Sequence, residues 1–68
     1  MLVAVYPKEP YLTAHFWTFE NFKEHHNASI EEYKINGNVI EYIIYEVPIE
    51  IDYDYVDQLE LKCIIIDK

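Results

Sequence analysis

Glu31-Glu32-Tyr33-Lys34-Ile35-Asn36-Gly37-Asn38-Val39-Ile40-Glu41-Tyr42-Ile43-Ile44 decides the fold. Asn36-Gly37 sits between two strand-like runs. Such a dipeptide is the preferred two-residue hairpin turn, because its central positions need positive φ. A turn there pairs Ile35 with Asn38, Tyr33 with Ile40 and Glu31 with Tyr42. One face then carries Tyr33, Ile35, Ile40, Tyr42 and Ile44 and reads as core. The other sets Glu32 opposite Glu41, a mildly unfavourable like-charge pair that Lys34 is close enough to offset. Ser29 and Glu32 also have the spacing of a capping box, but a helix begun there would have to stop within two turns.

Outward from the hairpin, Leu2 to Tyr6 reads as a short buried strand, closed by the turn region from Pro7 to Pro10. Between Tyr11 and Phe19 two periods compete. Strict alternation suits a strand packed on both faces, whereas Leu12, Phe16 and Phe19 form a helical stripe; Thr and aromatic enrichment favours the strand. Thr18 reads as the N-cap of a short helix over about 19–26, with Glu20 in its first turn and His25 and His26 at its end, as the helix dipole prefers. Past Tyr45 the apolar positions change parity, so a bulge or a change of sheet is expected between Tyr45 and Pro48, with Pro48 at an edge. Leu59 to Ile66 reads as an inner strand buried on both faces at Ile64 to Ile66. The expectation is one α+β domain over residues 1–68, a small, mostly antiparallel β-sheet with one short helix.

The chain has 68 residues, 51% of them hydrophobic and 16% aromatic, with 13 acids against 5 lysines and a net charge of -8. That size allows one domain, and that apolar content is not the composition of a disordered acidic tail. The charge excludes a conventional phosphate-binding role, which needs Lys and Arg on one face. Cys63 is the sole cysteine. No intramolecular disulfide is possible, the thiol is expected to be buried, and a reducing, cytoplasmic compartment is favoured. The apolar start breaks at Pro7 without a basic region before it, too short for a signal sequence or a membrane span. Missing Arg with abundant Ile, Tyr, Lys and Asn fits translation from an AT-rich genome, such as that of a low-GC bacterium or its phage.

The charge is not evenly spread. Residues 41–60 hold seven acids and no base. If residues 47–55 form a strand, Glu50, Asp52 and Asp54 stand in a row on one face, roughly 6–7 Å apart at ~3.3 Å rise per residue. Asp57 and Glu60 extend that surface past a turn, and Glu41 and Glu46 precede it. Repelling carboxylates concentrated in one place suit a site for a basic partner. Acid/apolar alternation is also how any half-exposed strand looks, and edge charges deter aggregation. Tyrosines interleaved with these acids, Tyr53 and Tyr55 among them, supply amphipathic contact area, and about half of the seven are expected to be core residues with hydroxyls at the surface.

Signatures of catalysis are missing. Asp52, Asp54, Asp57 and Glu60 fail the EF-hand template, because Asp57 stands where Gly is needed and Cys63 where the closing Glu belongs. His15, His25 and His26 make no metal constellation and read as surface residues, the last two at a helix end. One glycine excludes a Gly-rich phosphate loop. A chain this small offers little depth for a carboxylate pair to work as acid and base. No enzyme activity, cofactor or metal is expected.

In size, in acidity and in the stretch from Glu41 to Glu46 and on through Glu50-Ile51-Asp52-Tyr53-Asp54, the chain resembles the small acidic phage-encoded DNA mimics. That resemblance implies a mode of action. The protein would be an inhibitor that binds a basic DNA-binding host protein, such as a nucleoid-associated protein or a nuclease, and competes with DNA. The partner surface would comprise Glu41, Glu46, Glu50, Asp52, Asp54, Asp57, Glu60, Tyr53 and Tyr55. The alternative is an immunity protein or antitoxin that neutralises a basic nuclease or toxin, with tyrosines as hot spots and acids as steering groups. Small size and unsupported sheet edges also make a homodimer expected.

Overall fold

The computed structural model describes residues 1–9 and 16–67. Strand β1 (Leu2–Pro7) leads to helix α1 (Phe16–His26), then β2 (Ser29–Asn36), β3 (Val39–Glu46), helix α2 (Tyr53–Gln58) and β4 (Leu61–Asp67). All pairings are antiparallel, in the order β2-β3-β1-β4. The α+β class with an antiparallel sheet is as expected. Because β3 lies between β1 and β2, and β1 lies between β3 and β4, two split βαβ units interleave. This is ferredoxin-like connectivity.

The core lies between the sheet and its helices. Val3, Val5, Ile40, Ile43, Tyr45 and Leu61 point from the sheet to Phe19 and Phe22 of α1 and Val56 of α2. The Tyr45 hydroxyl donates to the Phe19 carbonyl at 3.3 Å and its ring tilts against Phe22, which ties α1 to the middle of the sheet. Burial and the nearby Glu20 carboxylate hold the Tyr45 phenol far above its ordinary pKa.

Several sequence expectations change. The hairpin turn is Gly37-Asn38, with Asn36 paired to Val39 and Ile35 to Ile40. Gly37 alone of the two has positive φ (64°), so the glycine occupies the first central position, as in a type II′ turn. The change of parity comes early: the register slips opposite Ile40–Tyr42, leaving Glu41 unpaired, and slips back at Glu31. After the first slip Ile43 and Tyr45 face the helices, opposite Val5 and Val3 of β1. Tyr42 and Ile44 therefore leave the predicted core face, and Tyr33 and Ile35 remain exposed on the edge strand β2. Glu32 stands opposite Ile44, and Glu41 is bridged by Lys34 at 3.2 Å.

Residues 16–19, read as strand, belong to α1; the rest of that reading, residues 11–15, lies outside the described residues. Thr18 is therefore a buried helical residue and not the cap. The far end of α1 closes as a Schellman motif: Asn27 takes φ 51°, its N–H reaches Glu24 O and the Ala28 N–H reaches Lys23 O. His26 is buried, not at the surface. Strand β4 is an edge and not an inner strand, and Ile64, Ile65 and Ile66 are exposed. Cys63 is half-buried, and its thiol is pushed up to about 11 by that burial.

Candidate functional site

The expected strand over residues 47–55 does not form, and the row of Glu50, Asp52 and Asp54 goes with it. Chain 47–52 crosses the end of the sheet without strand pairing, and Asp52 caps α2. Its carboxylate accepts the Tyr55 N–H at 3.1 Å while its own N–H donates to Nε2 of His26 at 3.0 Å. A cap of this kind needs Asp, Asn, Ser or Thr just before the first turn, and Asp52 meets that requirement. The signal was in the sequence, but alternation with Ile51, Tyr53 and Tyr55 looked equally like a strand.

The acids separate into two groups. Glu41 and Glu46 lie on β3, half-buried, and each meets a cation: Lys34 at 3.2 Å and the N-terminal amine at 2.9 Å. Glu50, Asp52, Asp54, Asp57 and Glu60 are all exposed along the segment that leads into α2, follows it and turns into β4. Asp57 bridges Lys8 at 2.7 Å, which raises the lysine pKa by hydrogen bond and charge. Asp52 meets Nε2 of His25 at 3.1 Å. The Tyr55 N–H, and then the His25 ring, hold the Asp52 carboxyl below its ordinary pKa. Glu50, Asp54 and Glu60 meet no cation among the described residues.

The two site tyrosines differ. Tyr53 is 55% exposed at the start of α2. Tyr55 is half-buried and stacks on His25 with ring centroids 3.9 Å apart. Glu60 takes a left-handed backbone, φ 59°, in the turn from α2 to β4. Its carbonyl accepts the Lys8 N–H at 2.9 Å. A glycine would hold that conformation at lower cost.

Sequence reasoning missed an apolar groove of about 260 Å³ between α1 and β2, lined by Phe16, Phe19, Tyr33 and Ile35 among others. Its trace in the sequence was Phe16 at helical spacing from Phe19. Among the described residues no three His, Cys, Asp or Glu side chains gather as a metal site, and no helix is long and apolar enough to cross a membrane. No protein-family model, curated protein or solved structure matches this chain.

Proposed function

We propose that the protein is a non-enzymatic inhibitor, acting in the cytoplasm, that occupies the basic nucleic-acid-binding surface of another protein. The contact is the acidic segment 50–60, which takes the place of phosphates as a compact patch and not as a regular row. The observation that carries this reading is that all five carboxylates of this segment are exposed, yet only Asp57 meets a lysine and only Asp52 an imidazole. Those two contacts help pin the segment: Lys8 holds Asp57, and His25 holds Asp52. Glu50, Asp54 and Glu60 are left facing solvent. Glu60 also keeps a carboxylate where the backbone favours glycine, a local cost of the kind that collects at functional sites. A rigid patch of one sign speeds encounter with an opposite one and loses affinity as salt rises.

The test is capture of bacterial lysate proteins on the immobilised chain, eluted by a salt gradient and challenged with duplex DNA. DNA-binding proteins should leave at moderate salt and be displaced by the duplex. Changing Glu50, Asp54 and Glu60 together to Lys should abolish their retention; unchanged retention refutes the proposal. The exposed ring of Tyr53 beside Asp54 favours a second reading, an immunity protein with an aromatic hot spot. In that case Tyr53→Ala, and not salt, should release a single captured nuclease or toxin.

A further inference from the structure

Between Val47, whose N–H reaches the Met1 carbonyl at 2.8 Å, and Val56, packed in the core, the chain crosses the end of the sheet. Ile51 packs partly against the core on the way. Among the described residues, the hydrogen bonds from residues 48–52 to anything but α2 are all made by Asp52, and all to the last turn of α1. The Asp52 N–H donates to Nε2 of His26 at 3.0 Å, and its Oδ2 accepts from Nε2 of His25 at 3.1 Å. Two imidazoles therefore moor the crossing chain and the start of α2.

They answer a proton in opposite ways. Nε2 of His25 faces a carboxylate and can donate to it from the neutral or the charged ring, so that contact survives protonation. Nε2 of His26 faces an N–H and must accept, while Nδ1 donates to the Phe22 carbonyl at 3.0 Å; only the neutral ring does both. A proton on this Nε2 sets two donors against each other at 3.0 Å. The ring is fully buried and stacked on Phe22 at 4.3 Å, so solvent does not reach it to accept instead.

The other groups around the ring offer no replacement. On α1, His25 packs edge-to-face with it, centroids 4.9 Å apart, and Lys23 stands three residues earlier and brings no acceptor. Tyr55 of α2 lies 6.5 Å away, and Tyr45 of β3 packs on Phe22 with its hydroxyl turned to the Phe19 carbonyl. The Asp52 carboxylate is near enough to feel the His26 charge, but it already accepts from the Tyr55 N–H and from His25. To reach His26 it must give up the cap of α2.

We propose that His26 is a proton-operated latch: the neutral ring holds the Asp52 cap against α1, and protonation frees the crossing chain and the start of α2 while the sheet stays folded. The latch concerns how the acidic segment is attached and holds whether or not that segment binds a basic protein. A released imidazole titrates at about 6.5. The closed state, which needs the neutral ring, is therefore at full strength above that pH and loses about tenfold per unit below it. The Asp52 carboxyl, held below its ordinary pKa, is still ionised at about pH 5 and is not the group that responds.

Amide hydrogen exchange followed by NMR at about pH 7.5 and about pH 5, expressed as protection factors, tests this. Protection of the Asp52, Tyr55 and Val56 amides should fall about tenfold or more at the lower pH, and that of the central strand β1 should not. His26→Gln keeps an acceptor for the Asp52 N–H and cannot titrate, so its protection should be the same at both values. His25→Gln should still show the loss. If His26→Gln fails to fold, the ring nitrogens of the wild type decide, because His26 should take up its proton over the same pH range in which Asp52 loses protection. Four results would each overturn the inference: unchanged Asp52 protection in the wild type, loss throughout β1 together with Asp52, a loss that persists in His26→Gln or vanishes in His25→Gln, and a protonated His26 with Asp52 still protected.

Discussion

Nδ1 of His26 donates to the Phe22 carbonyl at 3.0 Å, and Nε2 accepts the Asp52 N–H at 3.0 Å. Together the two bonds fix a single neutral tautomer. The ring is fully buried and stacks on Phe22 at 4.3 Å, so one side chain joins the last turn of α1 to the cap of α2. His26→Ala removes that packing and leaves the Asp52 N–H without its acceptor; a loss of about 2–4 kcal/mol is expected in urea unfolding. Sequence spacing placed His26 correctly at a helix end. It could not place the ring inside, because the partner that makes burial affordable lies 26 residues away at Asp52. Cys63 supports a chemical prediction at the same scale. Burial pushes its thiol up to about 11, so little thiolate exists near neutrality. Alkylation by iodoacetamide at pH 8 should be much slower than in the urea-unfolded chain; equal rates would contradict the half-buried position.

At the scale of elements, the hairpin shows what was legible. Asn36-Gly37 announced a turn, and a turn forms there, displaced by one residue. The frame is set elsewhere: Ile43 and Tyr45 must face Val5, Val3 and the helices, and the edge strand β2 follows β3 with two slips in register. Local turn preference tolerates either frame, since Gly37 provides the positive φ in both. Gly37→Ala meets no steric contact for its new Cβ and has φ 64°, so its cost is backbone strain alone, about 1–2 kcal/mol by thermal unfolding. The α2 segment was misread for a related reason: alternating acids and apolar residues fit both a strand and a capped helical turn, and packing of Val56 in the core decides. Capping also sets a pH dependence. Folding lowers the Asp52 pKa, so its contribution is present above the unfolded value, about 3.9, and disappears as pH falls through the lower folded value. Asp52→Asn keeps an acceptor for Tyr55 N–H but cannot titrate. The stability advantage of wild type over this variant should therefore shrink below about pH 4.

For the whole molecule, two electrostatic effects oppose each other as salt is added. Lys8–Asp57 and Lys34–Glu41 are exposed ion pairs that contribute little to stability, and salt screens them. Salt also screens self-repulsion in a chain with net charge -8 that fits within 30 × 23 × 18 Å, where most charges lie only two or three Debye lengths apart at physiological ionic strength. Thirteen acids against five lysines leave more repulsive than attractive pairs, so repulsion should win. The melting temperature at fixed protein concentration should rise with sodium chloride from low to physiological ionic strength. Reversing Glu50 and Asp54 to Lys removes four units of the excess from the region where it is densest, and should raise melting at low salt while flattening its salt dependence. Scanning calorimetry on both proteins decides the matter: melting that falls with salt in the wild type would mean that the few closed ion pairs outweigh the repulsion. The acids would then carry no net electrostatic penalty, and the repulsion expected within the exposed patch would not limit the stability of the fold.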